Sequence, residues 1–183
     1  FTPARSPTAT SLNRAISNLG RTGRKNSGKD PLLAETPDTV FAYHPVSTGA
    51  SMRYTDRSGN TYNWNIITDV SNWDISSKYS TFAAGDNPIA VFNNPAVTDG
   101  SVCIVVKESY GNALMPYLVD HYSTIYEIDY RYWNGNIVDF ATEKNADDLI
   151  SANNLSMIRS NYLIGLLAGI TGLGVCIRWD SAA

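Results

Sequence analysis

The stretch from Val102 to Trp133, VCIVVKESYGNALMPYLVDHYSTIYEIDYRYW, constrains the fold of this chain more than any other. Val102, Ile104, Val105 and Val106 form a short β-branched run with no polar interruption, the pattern of a strand covered on both faces. The run stops at Lys107, and Glu108-Ser109-Tyr110-Gly111-Asn112 predicts a tight turn. Ala113 to Tyr122 then places Leu114, Tyr117, Leu118 and Tyr122 at helical spacing, and Ile125 to Tyr130 supplies a second strand. A strand, turn, helix and strand in that order predict two parallel strands joined by a right-handed crossover. Ser109 is thereby placed between a strand end and a helix start.

Two uses of that position are open. The first amides of a helix lack internal acceptors and carry partial positive charge, so they can hold an oxyanion. A serine displayed there, with Gly111 allowing close approach to the backbone, has the local form of a nucleophile elbow. Alternatively, Ser109 is an N-cap whose hydroxyl oxygen accepts a helix amide, the commoner employment of serine at a helix start.

Around this unit the chain divides into an N-terminal segment, 1–36, and an α/β domain, 37–183. Leu12, Ile16 and Leu19 recur at helical spacing before Gly20, and RTGRKNSGKD, residues 21–30, predicts an exposed flexible loop. Thr39 to Tyr43 has strand propensity and ends at His44-Pro45. Residues 51–67 predict a β-hairpin around Asp56-Arg57-Ser58-Gly59-Asn60, inserted as a decoration on the main sheet. Ile89 to Asn93 is another strand, and Ile137 to Lys144 a crossover helix. Asp148 to Ala152 is a third parallel strand with Asn153 and Asn154 at its end, and Met157 to Ile170 a core helix followed by an edge strand, 173–177. Ser109, Asp129, Arg131 and Tyr132 then share the edge where open parallel sheets bind ligands. Arg131 suits either a developing negative charge or a structural pair with Asp129 or Glu108. Asn153 and Asn154 read equally as a turn pair.

Composition narrows the function classes. A net charge of −3 and a low charged content give no basic surface for nucleic acid. The longest apolar stretch is too short for a membrane span and carries glycines. Cys103 and Cys176 lie inside apolar runs without metal-ligand spacing; buried thiols are expected, and their pairing as a disulfide stays open. No metal or cofactor is expected. No secretory signal is visible, but Phe1 is not a translation start, so that absence carries little weight. Of the two histidines, His44 has nothing nearby to orient it. His121 lies so far along the expected helix from Ser109 that, at about 1.5 Å rise per residue, exposure to solvent suits it better than a role as base.

The serine stretch resembles a known family. K-E-S-Y-G-N-A, P-Y-L, H-Y and I-D-Y-R-Y are similar to the K-D-S-Y, P-F-L, H-Y and D-x-R-Y elements of the Asp-His-His-Trp (DHHW) family, SGNH-hydrolase-like proteins akin to the alginate O-acetyltransferase group. Pro37-Asp38-Thr39-Val40, Tyr79-Ser80-Thr81-Phe82 with Gly85-Asp86, and Asp148-Leu149-Ile150 extend the resemblance over roughly 37–161. Glu108 replaces the usual Asp, keeping its charge, and the Asp-His-His-Trp motif itself is absent, a departure that implies either the C-terminal half of such a protein or a member that lost its base.

The resemblance implies a three-layer SGNH- or flavodoxin-like parallel sheet flanked by helices. It also implies a serine esterase or O-acyltransferase acting on a cell-surface carbohydrate, and therefore an extracytoplasmic location. Ser109 is the implied nucleophile. The implied oxyanion or substrate-binding residues are Asn112, Asn153, Asn154, Arg131, Tyr132 and Tyr110. The partners are an acyl donor or carbohydrate, and an N-terminal half or second chain carrying the Asp-x-His base. The rival expectation is an SGNH-shaped glycan-binding or scaffolding protein that keeps the serine turn for folding.

Overall fold

The computed structural model describes residues 9–10, 42–70, 72–155 and 157–172. The expected helix near residue 16, the loop at 21–30, the edge strand at 173–177 and Cys176 lie outside them.

Short strands Ala9–Thr10 (β1) and Ala42–Tyr43 (β2) pair with each other. The main sheet contains β3 (Ser51–Thr55), β4 (Thr61–Trp64), β5 (Ile89–Asn93), β6 (Val102–Lys107), β7 (Thr124–Asp129) and β8 (Asp148–Ala152), in the order β4-β3-β5-β7-β6-β8. As the serine stretch predicts, β6 runs parallel to β7, and it runs parallel to β8 on its other side.

The remainder of the sheet differs from the expected all-parallel arrangement. β5 is antiparallel to β7, β3 to β5, and β4 to β3, so the architecture is a mixed α/β sheet. The cause is chain length between strands. A parallel return requires roughly a dozen or more residues. Only residues 94–101 connect β5 to β6, which forces the two to run in opposite directions. The hairpin is likewise no decoration: β3 pairs along its whole length with β5, so the hairpin forms one end of the main sheet. Its turn is fixed by the Asp56 carboxylate, which accepts the Ser58 and Asn60 amides at 2.8 and 2.9 Å, and by Gly59 at φ +87°.

Alternation along β6 and β7 gives the sheet two buried faces. Cys103, Val105 and Ile125 join Met52, Ala90 and Phe92 in one core, covered by Met115 and Val119. Ile104, Val106 and Ile128 face the opposite core with Tyr130, beneath α2 (Ile137–Glu143) and α3 (Asn161–Thr171). Both later helices start at side-chain caps: Asn136 accepts the Val138 and Asp139 amides, and Ser160 accepts the Leu163 amide. Cys103 is a buried free thiol, and burial pushes its pKa up to about 11.

The helix expected over Ala113 to Tyr122 is shorter than its spacing suggests. Ser109–Leu114 winds as a 3-10 helix, and the α-helical segment α1 spans only Met115–Leu118. Pro116 has no N–H with which to continue an α-helix from the turn, but it is well tolerated in the first turn of a new one. α1 is held from outside: the Asp120 carboxylate accepts the Val46 and Ser47 amides at 2.7 and 2.9 Å, and buried Asn94 donates to the Val119 carbonyl at 2.9 Å.

Ile104 is fully buried in the central strand. Ile104→Ala is expected to destabilise the fold by about 2–5 kcal/mol, as read by urea denaturation. A loss below about 1 kcal/mol would show that this face of β6 is not a packed core.

Candidate active site

The strand register dictates what gathers at the C-terminal ends of β6 and β7. Cys103, Val105 and Lys107 occupy one face of β6; Ile125, Glu127 and Asp129 occupy the same face of β7. Lys107 therefore lies beside Asp129, and its ammonium donates to Asp129 Oδ2 at 3.3 Å. The same nitrogen is 3.7 Å from Glu127 and 3.9 Å from Asp86. Arg131 reaches back across the turn after β7: Nε donates to Asp129 Oδ1 at 2.8 Å, Nη2 pairs with Asp129 Oδ2, and the same nitrogen forms an ion pair with Asp86 Oδ2 at 2.9 Å.

The inner part of this cluster is dry, while Arg131 and Asp86 reach its partly exposed rim. Lys107, Glu127 and Asp129 are each 2 % exposed or less. Two cations face three carboxylates, which leaves one negative charge over. Glu127 lies within ion-pair range of Lys107, yet its Oε1 makes no hydrogen bond. Burial raises its pKa to about 7, with Lys107 opposing the shift and Asp129 and Asp86 reinforcing it. Near neutral pH, Glu127 is the group that takes up a proton and balances the cluster.

The serine turn sits directly on this base. Lys107 passes beneath Gly111, and a Cβ at Gly111 would come within 2.3 Å of Lys107 Cβ. Glycine is therefore required for the turn to lie down on the lysine. Ser109 is half-buried at the first position of the 3-10 helix; Glu108, not Ser109, takes the N-cap position, and the Glu108 side chain caps no amide. Ser109 Oγ donates to Glu108 Oε2 at 3.1 Å. The other Glu108 oxygen accepts the Asn154 amide at 3.2 Å, so one buried carboxylate joins the serine turn to the loop after β8. Asp86 approaches from the loop after the Ile75–Thr81 3-10 helix. Ala83, Ala84 and Gly85 hold consecutive φ values of +49°, +59° and +79° there, a left-handed run that alanine adopts only at a cost of about 1 kcal/mol per residue.

The structure distributes the sequence candidates unevenly. Asn112 is fully buried; its amide nitrogen donates to Asp86 at 3.1 Å, which leaves its Oδ1 as a buried acceptor without a partner. Its free group is thus an acceptor. Asn153 and Asn154 follow β8: Asn153 Nδ2 donates to Ser151 at 2.8 Å, and Asn154 meets Glu108 through its backbone. Arg131 takes the structural alternative, gripping Asp129 and Asp86. Tyr132 is covered by Arg57 of the hairpin turn, whose guanidinium carbon lies 3.5 Å from the ring centroid. Tyr110 projects outward, 64 % exposed, while its carbonyl accepts the Tyr79 hydroxyl at 3.3 Å. His44 and His121 are both exposed. Among the described residues no group of three His, Cys, Asp or Glu side chains is arranged to hold a metal ion, and no helix is long and apolar enough to cross a membrane.

Sequence reasoning passed over the base of the site. Lys107 reads as a strand stop, and Glu108 as a neutral variation on Asp. The available signal is period two: counting 103, 105, 107 on one strand and 125, 127, 129 on the other puts three charged residues on a face that is otherwise apolar.

The fold and site define an α/β domain that displays a serine on a turn after a central parallel strand. The chain belongs to the DHHW protein family: the family model, described as DHHW protein, matches residues 26–128. In structure it is similar to a DHHW family protein from Eubacterium siraeum, at a TM-score of 0.73 and 22 % identity, covering 90 % of this chain and 53 % of that one. It is also similar to Bacillus cereus PatB1, solved with a sulfonyl adduct, at a TM-score of 0.58 and 16 % identity over 69 % of this chain and 44 % of that one. PatB1 in a second structure gives a TM-score of 0.57 at 17 % identity. The chain therefore spans about half the length of the solved structures it matches. No curated protein matches it in sequence.

Two outcomes test the base of the site. Glu127 has a folded pKa of about 7 against an ordinary value of 4.5, so the native state binds the extra proton in that interval. Its contribution to stability is complete below about pH 4.5 and is lost as pH rises through 7, a change on the order of 1–3 kcal/mol. Urea unfolding of Glu127→Gln should lack this fall, so the variant gains on the wild type between pH 5 and 8; parallel curves would refute the assignment. Separately, Gly111→Ala should shift the serine turn off Lys107 and destabilise by about 1–3 kcal/mol, measured by thermal unfolding.

Proposed function

We propose that the chain is the nucleophile-bearing part of an SGNH-like serine esterase or O-acyltransferase acting on a cell-surface carbohydrate, and hence extracytoplasmic. The observation that carries the reading is the state of Ser109. It stands just past the C-terminal end of the central parallel strand, and its hydroxyl is engaged by a buried carboxylate. The fold likeness to PatB1 adds support, because a sulfonyl group is taken up by an activated nucleophile.

In this mechanism Ser109 Oγ attacks the acyl carbonyl carbon while an Asp-His pair from outside the present residues accepts the hydroxyl proton. Ser109 Oγ becomes the ester oxygen as the bond from the acyl carbon to the leaving group breaks; the leaving group departs with the proton, and a carbohydrate hydroxyl or water then takes the acyl group and returns a proton to Oγ. The Ser109 and Tyr110 amides, with Asn153 or Asn154 from the neighbouring loop, are the proposed oxyanion and substrate contacts; the Gly111 amide is held by the Glu108 carbonyl at 2.9 Å. Asn112 serves the turn through Asp86, and Tyr110 offers an exposed ring to the substrate. Without the base, removal of a comparable partner lowers such a reaction by on the order of 10⁴-fold, so the present residues alone should turn over poorly.

Labelling by a fluorophosphonate, read by intact mass, tests the reading on this chain and on the complete gene product. The expected result is one adduct on the complete product, located at Ser109 and absent from Ser109→Ala. An unlabelled serine in both would favour a glycan-binding or scaffolding protein.

A further inference from the structure

Three carboxylates are buried among the described residues: Glu108, Glu127 and Asp129. Asp129 is met by Lys107 and Arg131, and Glu127 by Lys107. Glu108, 4 % exposed, meets no cation there. Its two oxygens are taken by two neutral donors on different elements, the Ser109 hydroxyl at 3.1 Å and the Asn154 amide at 3.2 Å.

A carboxylate buried without a cation is costly, and fold stability alone would favour an apolar side chain at that position. What the acid does accomplish is directional. Hydrogen bonds to a charged acceptor are shorter and stronger than neutral ones, so both donors are held firmly against it. The backbone of Glu108 is extended at φ −110°, which places its side chain beside the turn rather than over the helix end, and it makes no cap.

We propose that Glu108 is a positioning residue for Ser109: its carboxylate selects the rotamer of the nucleophile and locks the serine turn to the Asn153-Asn154 loop as one unit. The inference rests on Ser109 being the nucleophile. Glu108 takes no proton in the reaction. The hydroxyl hydrogen turns from Glu108 to the external base as Oγ attacks, while the Asn154 amide keeps the carboxylate in place. Once Oγ is an ester oxygen it no longer donates, so the acylated serine loses a bond that the free serine has.

The test is the rate of fluorophosphonate labelling on the complete gene product, for the wild type, Ser109→Ala, Glu108→Asp, Glu108→Gln and Glu108→Ala, with hydrogen exchange at the Asn154 amide measured alongside. The expected result is labelling slowed by about tenfold or more in Glu108→Gln and Glu108→Ala, and within about threefold of wild type in Glu108→Asp. Asn154 exchange should quicken about tenfold in Glu108→Ala while distant core amides stay protected. Should the alanine variant fail to fold, the Gln and Asp variants carry the comparison. Wild-type labelling at Ser109 with equal rates in every Glu108 variant overturns the positioning role and leaves the nucleophile standing. A wild type that is not labelled at Ser109 overturns both.

Discussion

Everything near the serine rests on one buried lysine. Lys107 ends the central strand, and the ordinary fate of a lysine at a strand end is to reach water. Here it is 1 % exposed, with carboxylates of β7 and the Asp86 loop around its ammonium and Gly111 on its stem. A buried ion cluster of this type is a weak source of net stability, because desolvation of each charge offsets the attraction. What it provides is geometry. Asp129 must be in register with Lys107, Asp86 must come from the left-handed Ala83-Ala84-Gly85 run, and Arg131 must fold back to close the count. The serine turn then has one surface on which to lie.

The parts of the fold that follow from local chemistry were legible in the sequence. The β-branched run of β6, the Asp56-to-Asn60 turn, the α2 helix and the strand at Asp148 all form at their expected places, because each is decided by residues within a few positions. Strand direction was not legible in the same way. That β5 runs antiparallel depends on the length of the 94–101 connection, and that β7 lies between β5 and β6 depends on residues the chain has yet to reach. The position of Ser109 at a strand end was readable. Its partner was not, since nothing local says that Glu108 turns toward the serine and accepts Asn154 as well.

Two charged environments lie side by side at this sheet edge, and they behave differently. Around Lys107 the charges nearly cancel, with a proton on Glu127 as the adjustable quantity. Around Glu108 the surroundings are neutral and phenolic. Burial first and the Glu108 charge second raise the Tyr79 phenol above its usual range and the Tyr130 phenol to about 12, so both rings stay protonated beside the acid. The first environment lies beneath the serine turn; the second meets the Ser109 hydroxyl.

The strand order also sets when the site can exist. β6 is flanked by β7 and β8, both of which lie later in the chain. During synthesis, Ser109 emerges from the ribosome before Asp129 and well before Asn154, so neither the lysine nor Glu108 has its partners when the serine turn first leaves the tunnel. β8 is an edge strand with Leu149 half in solvent, and it pairs with β6 across an intervening stretch that contains α1, β7 and α2. Pairings so distant in sequence form late. The setting of Ser109 is therefore completed by β8, the last of the described strands, and a nascent or truncated chain that stops short of β8 carries the serine without the arrangement around it.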